Sequence, residues 1–592
     1  MKQRTWVRVA GPLFVLAALV APRGAAAQAA DLVLRNGKIV TVDAARPEAQ
    51  ALAVRGDRIV AVGSDAEIAK LVGPRTRVID LRGRLAVPGF IESHGHFMGL
   101  GQALMELDLT KARTWDDIVA LVKDAAAKAQ PGEWIVGRGW HQEKWDRPPQ
   151  PNVEGLPYHT GLSAVSPNNP VALEHASGHA MFVNAKAMEL AGIGSSTPSP
   201  AGGEIVRDAK GVAIGMLRDN AMDLVGRAMR QSEGARTPAQ VEAHMRRQVE
   251  LAAADALKKG ITSFQDQGES FATIAFYQKL ADEGKLPIRL YAMVEATPPE
   301  TLAVYMPRYR MVGYGHDHLT VRAIGELSSD GALGTHSAWF LEPFTDLPTS
   351  TGLNVVKMAD IRAMAEVALK NGYQVAVHAI GDRANRETLD LFEALQKEHP
   401  EAKDARWRIE HAQHLSPSDI PRFAKLGVIA SMQGIHACSD GPYVVKRLGE
   451  ARAKAGAYVW RSLLESGAVI ANGTDVPVED EDPIANFGCS VSRRLRDGST
   501  FYPAQVMTRA EALRSYTRDA AFAAFEEDRK GTLTPGKLAD IVVLSRDIMT
   551  IPADQIAGTR VEYTIVGGKV LWDAAATRAD RGGSTGSGGA RD

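Results

Sequence analysis

The chain has 592 residues, with 69 Lys and Arg against 70 Asp and Glu for a formal net charge of −1. Balanced charge excludes the basic footprint that nucleic-acid binding needs, and 45% hydrophobic with 23% charged residues is the composition of a globular chain. Two cysteines cannot build a cysteine-rich zinc module or a disulfide scaffold, so any metal chemistry falls to the 15 histidines and the carboxylates.

The first segment reads as an address. Lys2, Arg4 and Arg8 precede an apolar run over residues 12–21, and small residues, RGAAAQAA, follow. That is the pattern of a secretory signal over residues 1–27, cut after Ala27, and the apolar run falls short of the ~20 residues that span a bilayer. A periplasmic or secreted bacterial protein is expected. In such a compartment Cys438 and Cys489 are free to pair, although sequence alone does not bring them together.

From residue 28 to 88 the chain reads as short strands. DLVLRNGKIVTVD predicts a hairpin at Asn36-Gly37, and ALAVRGDRIVAVG another at Gly56-Asp57. The pattern returns in LADIVVLSRD and in EYTIVGGKVLWD, which turns at Gly567-Gly568. Residues 28–88 and 525–577 are therefore expected to form one composite β-sandwich, since isolated strand pairs are unstable. Between them, over 89–524, apolar strand-like runs alternate with helical patterns such as AQVEAHMRRQVELAAADALKKG. About eight such strands predict an α/β fold of the (β/α)8 TIM-barrel type. Residues 110–235, rich in Pro and Gly, break the rhythm and are expected to be an insertion roofing the site. The last stretch, 578–592, is Gly- and Ser-rich and expected to be disordered.

Chemistry collects where the apolar strands end. His94-Gly95-His96 closes VPGFIESHGH, and side chains two apart on a strand share a face; two neutral imidazoles suit zinc or a similar cation. A lone H-x-H is weak, and His316-Asp317-His318 has the same spacing but precedes its strand, where a solvated loop is expected. His175 and His179 have helical zinc-protease spacing, yet Gly178 interrupts them and the general-base Glu is missing. His411 and His414 cannot share a strand face. Glu326, His378, His411 and Asp475, however, each terminate an apolar run, in LTVRAIGEL, YQVAVHAI, RWRIEHAQ and AVIANGTD. On a barrel that end carries the active site.

These segments, with GHAMFVNAKAMELAGI, DGALGTHSAWFLEPF, HAIGDRA and ANGTDVPVEDEDPI, resemble the amidohydrolase superfamily and its family 3 branch over residues 31–575. The resemblance implies a barrel with a sandwich from both chain ends, and a ligand set of His94, His96, His378, His411 and Asp475. It implies one or two divalent ions, Zn2+ foremost, with Asp475 as general acid/base. The family's lysine, often carboxylated to bridge two metals, is replaced here by Glu326 in ELSSDG, four residues before Asp330; a carboxylate there is expected to ligate or bridge. His179 is expected to face substrate, and Trp140 to pack in the core.

The reaction so implied is hydrolysis of a C–N bond, other than a peptide bond, in a small amide-type substrate by metal-activated water. The expected partners are that small molecule and, at most, a second copy in a homodimer, with no nucleic acid or membrane. Two other chemistries use the same site: ester or lactone hydrolysis, and a deaminase, whose Glu three residues after the fifth-strand His is Gly381 here. A secreted binding protein without catalysis is the alternative of a different class.

Overall fold

The computed structural model describes residues 29–234, 237–400 and 404–576, with Met1, Gln3 and Thr5. The rest of the expected leader and the expected tail lie outside the described residues.

Eight parallel strands form the centre: β1 (Phe90–Gly95), β2 (Ile261–Glu269), β3 (Arg289–Val294), β4 (Leu319–Ser328), β5 (Gln374–Ala379), β6 (Arg408–His411), β7 (Ile429–Gln433) and β8 (Ile470–Gly473). Each pairs in parallel with its sequential neighbour. A parallel bridge from Gly95 to Val476 closes the seam between β8 and β1. There the Asp475 N–H donates to the His94 carbonyl at 2.8 Å and the His96 N–H to the Val476 carbonyl at 2.7 Å. Helices such as Phe271–Asp282, Pro299–Tyr309, Met358–Lys370 and Asp382–Glu398 cover the outside, which buries both faces of the strands and explains their continuous apolar runs. The longest, Pro238–Lys258, starts where its sequence says: Thr237 and Gln240 form a capping box around Pro238. The fold is a (β/α)8 barrel.

Both chain ends supply the sandwich. Its six-stranded sheet runs 569–573, 561–566, 541–544, 85–88, 38–40, 48–49, and its four-stranded sheet 58–63, 51–55, 32–35, 77–80. Ile541–Leu544 pairs antiparallel with Leu85–Pro88, so the N- and C-terminal segments share one ladder. Leu34, Leu52, Val54, Ile541, Val543 and Ile565 fill the space between. The hairpins at Gly56 and Gly567 form as expected. The one at Asn36-Gly37 does not. Leu32–Arg35 pairs within the four-stranded sheet and Lys38–Val40 within the other. Asn36 takes a left-handed φ of 56°, and the turn lies so close on Leu81 that a Cβ at Gly37 would sit 2.4 Å from it. The result is a corner between sheets.

The insertion is more than a Pro- and Gly-rich roof. It builds a six-stranded mixed sheet in the order 203–207, 213–219, 180–183, 171–175, 135–140, 107–108, with cores of its own around Trp115, Trp140, Leu173 and Phe182 and around Ala172, Val183, Ile205 and Leu217. Trp140 is fully buried and donates to the Leu173 carbonyl at 2.8 Å, the packing role expected of it. One edge is clamped to the barrel mouth: Glu143 holds Arg447 at 2.6 Å and Lys446 at 3.0 Å, Lys144 meets Glu479 at 2.9 Å, and Gln142 donates to the Gly334 carbonyl at 2.8 Å. Cys438 and Cys489 are joined in a disulfide between the helices that follow β7 and β8.

Candidate metal centre

Every expected ligand stands at the C-terminal mouth of the barrel. His94 lies in β1 and His96 just beyond it, both in extended backbone that turns both rings to one side. His378 and His411 come from the ends of β5 and β6. Asp475 follows β8 by two residues with φ of 60°, and His411 has φ of 71°. Such left-handed residues cost of order 1–3 kcal/mol each and gather at functional sites. Glu326 lies inside β4, not at its end, where the register against β5 shifts between Ile324 and Leu327. A bulge of this kind re-aims a side chain, and it needs Gly325, since a Cβ there would come within 2.6 Å of the Ala376 Cβ.

The rings converge on two carboxylates. Glu326 Oε2 is 3.6 Å from His94 Nε2, 3.4 Å from His378 Nδ1 and 3.3 Å from His411 Nε2. Asp475 Oδ1 is 3.4 Å from His94 Nε2 and 3.3 Å from His96 Nε2. Ligand atoms about 2.0–2.1 Å from one ion at tetrahedral angles lie roughly 3.3 Å apart, so these spacings suit a shared cation. Three overlapping groups meet the requirement within 4.8 Å: His94, His411 and Asp475; His94, His96 and Glu326; Glu326, His378 and His411.

Tautomers point the same way. His94 Nδ1 donates to Glu410 Oε2 at 2.6 Å, His411 Nδ1 to Gln433 Oε1 at 2.8 Å, and His96 Nδ1 to the Gln267 carbonyl at 3.3 Å. His378 turns its Nε2 towards Asp330 Oδ1 at 3.4 Å. With one nitrogen held by an acceptor, the other keeps its lone pair for the centre. His94 Nε2, His378 Nδ1, His411 Nε2 and Glu326 Oε2 are all buried without a hydrogen-bond partner. Four buried polar atoms without partners are costly, and a cation among them satisfies all four. The residues fit a divalent metal.

Electrostatics agree. Burial would raise Glu326, but the His94 and His378 imidazoles hold it well below the usual carboxylate range; Asp475 is held down likewise by His94, His96 and His411. Burial would lower His94, yet Glu326 and Asp475 lift it well above its ordinary value. Burial beside His411 takes His378 down to about 4. Beneath the centre, fully buried Arg408 grips Glu410 at 2.6 Å, donates to the Ser93 carbonyl and Ser431 Oγ at 2.7 Å each, and reaches Gln265. That leaves Glu410 charged and fixed under His94.

Two cavities meet at this point. A small one of about 40 Å³ lies on the His378–His411 side, against His141, Leu333, Gln413, His436 and Tyr443. A wider one of about 420 Å³ opens past His96 and Glu326, along Gln102, Glu106, Arg138 and Glu174. His179, Ser177, Asp475 and Val478 line both. Residues 77–572 match the Amidohydrolase family. The chain belongs to that family.

Relatives of this amidohydrolase extend over nearly its whole length. It is 34% identical to the protein LONG AFTER FAR-RED 3 of Arabidopsis thaliana, over 92% of each chain. It is 28% identical to the N-substituted formamide deformylase of Arthrobacter pascens, over 92% of this chain and 99% of that one. Among solved structures, a metal-dependent hydrolase from Pyrococcus horikoshii, itself uncharacterized, matches with a TM-score of 0.68 and 26% identity, covering 88% of this chain and 99% of the other. The family and these neighbours imply that the amidohydrolase works with a divalent metal.

The remaining histidines stand apart from the ligand set. His179 borders both cavities, its ring 4.9 Å from His378 and its Nδ1 2.8 Å from Asp219 Oδ1. His175 is tied to Ser177 and Gln142, and His414 packs against Phe340 and Tyr458. His316 is exposed, but its triplet is not the solvated loop expected: Asp317 joins Arg58 of the sandwich at 2.9 Å to Arg529 at 2.8 Å, and His318 contacts the Ile288 carbonyl. The triplet helps mount the sandwich at the other end of the barrel. Sequence reasoning missed Glu410, Gln433 and Gln267, which aim the ligands, and Arg138, Lys144 and His436, which line the cavities. Only Glu410, one residue before His411 and two after Arg408, left a visible signal.

Proposed function

We propose that this protein is an exported metal-dependent amidohydrolase that cleaves the C–N bond of a small N-acyl amide. The observation that carries the reading is the set of four buried, unpartnered ligand atoms that Asp475 faces at the meeting of two cavities. When bound, a divalent ion, zinc in this reading, supplies Lewis acidity that polarises a carbonyl and acidifies water. Asp475 accepts a proton from the attacking water and passes it to the departing nitrogen, which must leave as an amine. His179, whose pKa Asp219 raises against burial, places a donor where the carbonyl oxygen develops charge. Glu326 turns Oε2 towards His94, His378 and His411 and Oε1 towards His96 at 4.0 Å, and would help hold the metal in this reading.

An amide substrate is favoured by the likeness to a formamide deformylase over 92% of this chain. Export is supported by the basic and apolar leader and by the Cys438–Cys489 disulfide, a bond typical of oxidising compartments. The test is an amide library assayed with purified protein before and after chelation and zinc return. Amide turnover that chelation abolishes and zinc restores is expected; turnover of esters or lactones alone would replace the amide reading. Asp475→Asn is expected to lower kcat by several orders of magnitude while metal content is largely kept. Normal turnover in that variant would remove Asp475 as the acid/base. Mass measurement of the protein recovered outside the cytoplasm is expected to place its N-terminus at Gln28.

A further inference from the structure

The cavities that meet at His179 and Asp475 are unequal in both size and charge. The inner cavity holds about 40 Å³, roughly a tenth of the outer one. The outer one, at about 420 Å³, lies within the range of roughly 300–1,000 Å³ usual for small-molecule sites. Nor is the inner one free to grow. Its roof is the insertion segment held by the Glu143–Arg447 and Lys144–Glu479 pairs, and Gly334 presses so close that a Cβ would stand 3.0 Å from His141 Nε2.

Both cavities carry more acids than cations, the outer one by a wider margin. The inner cavity is lined by Asp440, Asp475 and Glu479 against the cation Lys144, which pairs with Glu479; Asp440 accepts from Tyr443 and Tyr458, and His436 offers a buried Nε2 with no partner. The outer cavity carries Glu106, Glu174, Glu269, Glu326 and Asp475 against the cation Arg138, which is bonded to Glu174. Amide hydrolysis releases a carboxylate on one side and, at neutral pH, an ammonium on the other.

Resting on the amide reading above, we infer that the inner cavity takes the acyl half of the substrate and limits it to formyl or acetyl. The outer cavity takes the amine half and accepts a large, basic or aromatic group. His436 Nε2 contacts the acyl side as a positioning group. Water adds to the carbonyl carbon, the C–N bond breaks, the proton from water goes through Asp475 to nitrogen, and acid and amine form in different cavities.

Two substrate series test this on the zinc-loaded enzyme: N-formyl to N-butyryl benzylamine, and N-formyl amines from methyl to naphthylmethyl. Expected is a fall in kcat/KM of about tenfold or more for each methylene beyond acetyl, with a flat or rising response along the amine series. Leu333→Ala, which enlarges only the inner cavity, is expected to raise propionyl relative to formyl turnover at least tenfold. Ala103→Trp, at the half-buried rim of the outer cavity alone, is expected to depress only the bulky amines and serves should the first variant fail to fold. Binding is read separately, by NMR line broadening: benzylamine is expected to be weakened by Ala103→Trp and formate to be unaffected. Equal turnover of butyryl and formyl amides, or a steep penalty along the amine series, overturns the assignment while leaving amide hydrolysis standing. No turnover of any member would instead refute the amide reading itself.

Discussion

Two histidine triplets with the same spacing stand at opposite ends of the barrel. His94-Gly95-His96 follows its strand to the C-terminal mouth, where both rings meet Glu326 or Asp475 and their outer nitrogens are held by acceptors. His316-Asp317-His318 precedes β4, leaves His316 exposed, and does its work through Asp317 between Arg58 and Arg529. What separates a ligand pair from a structural one is therefore strand polarity and the acceptors behind the rings.

Mutation breaks the comparison most sharply. His94→Ala is expected to abolish stoichiometric metal and turnover, whereas His316→Ala should leave both within twofold; elemental analysis with amidase assay reads the difference, and metal loss in the His316 variant would undo it. Glu326→Ala comes next, since it faces three rings at once. Its metal content is expected to fall, and unchanged stoichiometry would reduce Glu326 to a strand-stabilising role. Proton competition follows. Because Glu326 and Asp475 lift metal-free His94 well above its ordinary value, and a ligating imidazole must be neutral, metal affinity is expected to weaken as pH falls below that raised value. Chelator competition in pH steps is expected to show metal affinity falling with each step down through the neutral range; an affinity independent of pH there would contradict the shift. The smallest effect belongs to Glu410→Gln, which keeps a hydrogen bond to His94 but removes its charge. Metal affinity is expected to drop about 10–100-fold in competition with a chromophoric chelator.

Much of this centre was legible because barrel chemistry sits where apolar runs stop. His94, His96, His378, His411 and Asp475 could be read from that rule alone, and the family likeness gave them an order. Glu326 was found by its place, but the bulge that turns it inward was not, because one extra residue in a strand leaves the apolar pattern almost unchanged. The insertion sheet was hidden by its short, Pro- and Gly-flanked strands, and the Asn36-Gly37 corner by a turn sequence that serves hairpins and sheet-to-sheet crossings alike. The pairing of Cys438 with Cys489 depends on how the helices after β7 and β8 lie together, which no local pattern records.

The barrel's first and last strands are sewn together by a few polar contacts, among them Thr474 N to Glu92 at 2.6 Å, across 382 residues of sequence, Asp475 N to the His94 carbonyl at 2.8 Å and His96 N to the Val476 carbonyl at 2.7 Å. Loop closure over such a span comes late and slowly in folding. Half of the ligand set, His94, His96 and Asp475, thus comes together only once that seam is made, so a complete centre requires the chain through Asp475 to be synthesised and the barrel shut. A copy truncated before Asp475 lacks part of the ligand set.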